Sequence, residues 1–323
     1  MDRTQEKIAI AKLSVYSNSV LVALKLISGF LMGSVAVLSE AIHSGIDLVA
    51  ALMARYSVKK SGEPADKDHR YGHGKFENLS GMIEGALIFV AAALIIYEAS
   101  LKFLHPLEDP LEMDILYLGM AIMGFSAILN FYVSRKLAAV AKRTDSLALE
   151  ADAYHLRTDV WTSAGVFIAL ALIQLLGTEF RWLDPAVAMV VAMFIIHAAY
   201  DITTRSTEGL LDKSLPETEM KLIEQVVRSY GGNVLNFHKL RARKMGSERQ
   251  IDLHLVVPMN LSIKDGHSLV EELERDIKKE LPGSIIVVHI EPCDENCERC
   301  RMIPNLYPIE GRKGPPLSCE PKQ

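Results

Sequence analysis

Ser39-Glu40-Ala41-Ile42-His43-Ser44-Gly45-Ile46-Asp47 lies in one apolar stretch of the chain, and Ala153-Tyr154-His155-Leu156-Arg157-Thr158-Asp159 lies in another. Each places a histidine four residues ahead of an aspartate, so on a helix both side chains leave from one face. An ionised group in a bilayer costs about 2.5–3.5 kcal/mol on insertion scales, so an apolar segment keeps one only against a partner. Two such faces brought together offer two imidazoles and two carboxylates, a tetrahedral set for a borderline divalent ion such as Zn²⁺. One pair could bond within its own helix or to Arg157. Two matching pairs in separate segments favour metal ligation by His43, Asp47, His155 and Asp159, and hence a metal ion crossing a membrane.

The surroundings of these stretches supply the membrane. Half of the 323 residues are hydrophobic, and they crowd ahead of about Leu211. A helix needs about 20 mostly apolar residues to span a bilayer. Six stretches qualify: residues 10–32, 35–58, 79–104, 114–138, 146–176 and 184–203. The start, Met1 to Lys7, lacks the small-residue cleavage site of a signal peptide, so the first stretch is expected to be a retained helix.

Lys and Arg set the orientation. Arg3, Lys7 and Lys12, then Lys59, Lys60, Lys67, Arg70 and Lys75, then Arg135, Lys136, Lys142 and Arg143 fall on one side. The other side has Lys102 and Arg181 among acidic residues. The expectation is a multi-pass protein of the cell (inner) membrane with both termini in the cytoplasm. A net charge of −5 gives no case for nucleic acid.

The remainder reads α-β-β-α-β. Pro216 opens a helix that Gly231-Gly232 closes, and the strands Val234–Lys244 and Gln250–Val257 follow. A helix over Ile263–Glu280 turns at Pro282-Gly283 into a strand over Ser284–Ile290. About 80 residues make a marginal domain, which dimerisation would help to stabilise. The expected organisation is a transport domain over residues 1–209, a regulatory and dimerisation domain over 210–292, and a cysteine-containing tail over 293–323. The fold class is thus an all-α six-helix membrane bundle followed by a small α+β domain.

Three further sets could hold metal. Asp66, His69 and His73 fall in the connection after the second span, with glycines that let the backbone fold around an ion; spacing alone leaves a solvated loop equally open. His238, His254, His267 and His289, with Glu291, form a group that suggests metal binding, although each alone reads as a surface histidine. His289 and Glu291, two apart on a strand end, share a face. Cys293, Cys297, Cys300 and Cys319 all follow Pro292. In the cytoplasm such thiols stay reduced, so a zinc site or a solvated tail is expected ahead of a disulfide.

Taken together, the paired His/Asp sites, the Asp66-x2-His69-x3-His73 loop, the segment Glu150-Ala151-Asp152-x2-His155-x3-Asp159 and the α-β-β-α-β tail resemble the cation diffusion facilitator family. The resemblance covers about Ile8 to Pro292. It implies a homodimeric secondary transporter that exports Zn²⁺ or a related divalent ion in exchange for protons. It also implies a ferredoxin- or metallochaperone-like cytoplasmic domain. His43, Asp47, His155 and Asp159 match the family's transport site, and Asp66, His69 and His73 match a second site near the membrane surface. His238, His254, His267, His289 and Glu291 are carried onto a regulatory zinc site where paired cytoplasmic domains meet. Some bacterial relatives have Asp at the position of His43 and tolerate Cd²⁺. The two-His, two-Asp set resembles the zinc-selective members, ahead of Fe²⁺, Co²⁺, Cd²⁺ or Mn²⁺.

No Gly-x4-Gly-Lys-Ser/Thr loop is present to spend a nucleotide. Histidine, whose charge changes near neutral pH, supplies the coupling, because a ligand must lose its proton to bind metal. An intramembrane metallohydrolase would need an open coordination position, and a complete four-ligand set speaks against that enzyme. A membrane-anchored metal sensor without transport is the other rival, for which six spans with buried ligands are excessive.

Overall fold

The computed structural model describes residues 3–32, 35–104, 113–176, 182–231 and 233–293. The chain divides into two compact units, Met1–Leu211 and Asp212–Gln323.

The first unit is helical: α1 (Arg3–Met32), α2 (Val35–Ser61), α3 (Lys75–Leu104), α4 (Met113–Thr144), α5 (Leu147–Leu176) and α6 (Leu183–Leu210). Gly62 and Pro64 stop α2, since neither continues a helix cheaply. Between α4 and α5 the chain breaks only at Asp145 and Ser146, and Asp145 takes a positive φ of 55°. By length and composition, three helical stretches among the described residues can cross a membrane: Arg3–Leu31, Lys75–Leu104 and Pro185–Leu210. The expected six spans have this support in those three. In α2 and α5 the charged and polar residues of the paired sites, among them Glu40, Asp47, Asp152 and Asp159, lower the hydropathy.

Burial in this unit is inverted relative to a water-soluble bundle. Phe30, Ile42, Val90, Ile128 and Phe194 are exposed, whereas Lys7, Asn18, Asp47, Glu77, Glu84, Asp152 and His155 are buried. Apolar side chains outside and polar ones inside suit a lipid solvent, and the protein is a membrane protein.

Small residues bring α3 and α6 together. A Cβ on Gly85 would meet Thr203 Oγ1 at 2.2 Å, and one on Gly81 would meet Ser206 Oγ at 2.5 Å. Such close backbone approach is how helices associate where lipid tails remove the hydrophobic drive. Farther along the same seam, Ile88 and Ala92 pack on Ile195 and Ala199.

One end of the bundle is tied by a buried hub. Glu77 at the start of α3 takes the Lys7 ammonium of α1 at 2.7 Å and the Ser61 hydroxyl of α2 at 2.9 Å. The Ser146 hydroxyl, just before α5, also donates to it. A buried charge persists only when so satisfied, and removing one partner of such a pair costs about 3–5 kcal/mol.

The second unit runs α7 (Glu217–Ser229), β1 (Asn236–Met245), β2 (Glu248–Val257), α8 (Ile263–Glu280) and β3 (Ser284–Pro292). Ser262 caps α8 by accepting from the Asp265 amide. The sheet order is β1-β2-β3, with β1 antiparallel and β3 parallel to the central β2. Ile251, Leu253, Leu255 and Val257 alternate along β2 onto one face, where they meet Ile223 and Val227 of α7 and Leu269, Leu273 and Ile277 of α8. The strands begin and end within two residues of the expected positions, and α8 has its expected limits.

Candidate metal centres

The i, i+4 spacing does on α2 and α5 what helical geometry requires. Donor atoms of His43, Asp47 and Asp159 lie within 4.8 Å of one another. His155 Nε2 lies 2.9 Å from Asp47 Oδ1, both groups being buried. All four residues line one cavity of about 340 Å³. With both carboxylates ionised and both imidazoles neutral, the quartet carries two negative charges, which complement a divalent cation.

Two neighbours escaped the sequence reading. Asn130 on α4 sends Nδ2 to Asp159 Oδ2 at 3.4 Å, where it orients the carboxylate. Lys25 on α1, buried, donates to Ser44 Oγ at 2.8 Å beside His43. Neither repeats a motif, so nothing in the sequence marked them beyond a polar residue in an apolar helix.

In the loop after α2, Asp66 Oδ1 accepts the amides of Asp68 and His69 at 2.9 and 2.6 Å. The His69 amide above all holds the Asp66 carboxyl below its ordinary pKa. This local turn, together with Gly72 at φ 87°, returns the chain so that His73 Nε2 lies 3.1 Å from Asp66 Oδ2. The contact lacks hydrogen-bonding geometry. His69 Nδ1 is 3.5 Å from Asp66 Oδ1, and the two imidazole centroids are 4.6 Å apart. The donor atoms of all three residues lie within 4.8 Å of one another.

The third cluster is built by strand register. His238, His254 and His289 are direct neighbours across β1, β2 and β3. They form a row with centroid separations of 5.3 and 4.7 Å on the face opposite the helices. Glu291, two residues beyond His289, bridges the row. Its Oε1 lies 2.6 Å from His254 Nδ1 and its Oε2 lies 3.2 Å from His238 Nε2. The hydrogen bond from His254 is the largest influence holding the Glu291 carboxyl below its ordinary pKa. His238, His254 and Glu291 offer donors within 4.8 Å of one another, with His289 Nε2 at 3.7 Å from Glu291. His267 stands apart on α8, exposed and facing Glu271 at 3.4 Å, so within one chain it does not join the row.

Cys293 is buried and disulfide-bonded, whereas the sequence led us to expect a zinc site or a solvated tail ahead of a disulfide. Cys297, Cys300 and Cys319 lie outside the described residues.

A family model for the cation efflux transmembrane domain matches residues 11–211, and one for the cytoplasmic domain of cation efflux proteins matches residues 215–293. The uncharacterized transporter sll1263 of Synechocystis is 36% identical over 285 residues, 88% of this chain and 90% of that protein. The cation-efflux pump FieF of Yersinia pestis is 30% identical over 278 residues, 85% of this chain and 89% of its own. A solved chain of CzrB in its zinc form, described as a candidate zinc transporter, is 31% identical; it covers 26% of this chain and 97% of its own length, with a TM-score of 0.24.

Proposed function

The chain belongs to the cation diffusion facilitator family of cation efflux transporters, and from that premise we propose that it exports Zn²⁺ from the cytoplasm in exchange for protons. Divalent metal efflux is the family's activity, and it is transport, not enzymatic catalysis. The observation that carries the finer reading is the convergence of His43, Asp47 and Asp159 around one cavity, with His155 hydrogen-bonded to Asp47. Two imidazoles and two carboxylates suit tetrahedral Zn²⁺ better than Mn²⁺, which prefers an all-oxygen shell.

Metal and protons compete for His43 and His155. A cytoplasm-facing quartet loads Zn²⁺ and gives up protons; once α2 and α5 re-orient, protons from outside displace the ion. The reading further assigns six spans over residues 1–209, a cell-membrane location and cytoplasmic termini. Asp66, His69 and His73 form a second metal site near the membrane surface, and His238, His254, His267, His289 and Glu291 a regulatory zinc site where the domains of a homodimer meet. The row and the exposed Ile285 and Val287 lie on the helix-free face of the sheet, which supports that pairing.

Purified protein in liposomes with an imposed pH difference tests this, with Zn²⁺ uptake followed by an enclosed dye. Wild type takes up Zn²⁺, and Asp47→Ala/Asp159→Ala does not. No gradient-driven uptake of Zn²⁺, Fe²⁺, Co²⁺ or Mn²⁺ by folded wild type would leave the metal-sensor reading in its place.

A further inference from the structure

Glu84 and Asp152 are among the most deeply buried groups in the molecule, at 0% and 1% exposure, and the quartet does not use them. Glu84 lies on α3. Asp152 lies on α5, one helical turn, about 4.5 Å of rise, before His155. Each keeps one carboxyl oxygen, Glu84 Oε2 and Asp152 Oδ2, without a hydrogen-bond partner among the described residues. The other Glu84 oxygen accepts from Ser80 at 3.1 Å. Ser14 on α1 faces Asp152, but its hydroxyl does not reach hydrogen-bonding geometry.

The charges that face the pair are few. Asp152 and His155 act on Glu84, and His155 and Asp47 act on Asp152; among the described residues no lysine or arginine acts on either group. From α6, the hydroxyls of Ser206 and Thr203, which carry no charge, stand against Gly81 and Gly85 of α3. Two ionised carboxylates so deeply enclosed would be costly with little to offset them, whereas one proton removes a charge and turns an acceptor into a donor.

We propose that Glu84 and Asp152 together hold one exchangeable proton, forming an internal proton site one turn away from the metal quartet. The proposal rests on the metal–proton exchange reading and adds to it a store that is separate from the ligands. When a divalent ion enters the quartet, the acid O–H bond of the pair breaks and the proton passes to water. The carboxylate left behind offsets one of the two incoming positive charges. When the ion leaves, a proton from water restores the acid. Glu77, Ser80 and Glu84 fall at i, i+3 and i+7 on one buried face of α3, so a polar stripe runs from the pair to the hub end of the bundle.

Infrared difference spectroscopy of the full chain in lipid reads the proton directly, through the carbonyl stretch of a protonated carboxyl group. Wild type is expected to show this band and to lose it when Zn²⁺ is added. The isosteric Glu84→Gln and Asp152→Asn proteins each lack it, and each releases about one proton fewer per bound Zn²⁺. Either variant serves if the other does not fold. A band that is absent from wild type, unmoved by Zn²⁺ or retained in both variants overturns the proposal. A wild type with the zinc-sensitive band but no gradient-driven zinc flux overturns the exchange reading and upholds the proton-holding pair.

Discussion

The helical unit and the C-terminal unit both gather imidazoles and carboxylates, but through different geometry. On α2 and α5 each ligand pair is local, four residues apart on one helix, and two copies need only be apposed. In the sheet, His238, His254 and His289 are far apart in sequence and become neighbours through register. A slip of one residue in β2 would turn His254 onto the face where Leu253 and Leu255 are buried. The helical site therefore tolerates movement between its two halves, and the row in the sheet does not. That contrast suits the proposed transport site in the first unit, which must open, and the proposed regulatory site in the second.

Loss of the middle histidine of the row should matter most. His254→Ala is expected to weaken Zn²⁺ binding to the C-terminal cluster by at least about 100-fold, beyond the loss of an outer partner. Exchange through the quartet under a zinc gradient should persist. Titration calorimetry and liposome flux on one preparation check both; flux lost in proportion to binding would mean that the two units are not separable.

A smaller effect tests the contact between α3 and α6. Gly85→Ala places a methyl 2.2 Å from Thr203 Oγ1 and 3.3 Å from the Thr203 backbone nitrogen, a clash that side-chain rotation alone does not relieve. It should destabilise the protein by about 1–3 kcal/mol, read as a lowered melting temperature in detergent, with ligand binding intact. An unchanged melting temperature would show that this seam is loose.

The smallest sits in the second unit. Tyr230 Oη donates to Asp276 at 2.7 Å, and Lys279 above all, then Tyr230, holds the Asp276 carboxyl below its ordinary pKa. A depressed carboxylate contributes stability above its unfolded pKa and loses it as pH falls through the folded value. Tyr230→Phe should cost about 0.5–1 kcal/mol at pH 7, at the low end because solvent screens the pair. The difference in melting temperature should shrink as acid protonates Asp276. A difference that grows in acid would contradict the sign.

Legibility followed the same division. The paired motifs, the helix order and the α-β-β-α-β tail could be read because each depends on spacing within one element. The sequence also marked His238, His254, His289 and Glu291, but not their row, because the Lys239 bulge (φ 51°) and the parallel pairing of β3 set it. His267 lies on the helix layer, apart from the row of its own chain, so its assignment rests on the family resemblance. Asn130 and Lys25 were missed because each is a single polar residue whose partner comes from another helix; Glu84 stands in no motif, and Asp152 lies within one without a role assigned to it.

The Glu77 hub fixes α1, α2, α3 and the start of α5 at one end and leaves the quartet at the end of a lever arm. From Ser61 to Asp47 that arm is about 21 Å along α2, at 1.5 Å per residue. A tilt of only about 10° about the hub would sweep the Asp47 carboxylate through nearly 4 Å, about twice a metal–ligand bond. Holding the bundle at one end thus amplifies a small rotation into a displacement large enough to make or break coordination at the proposed transport site.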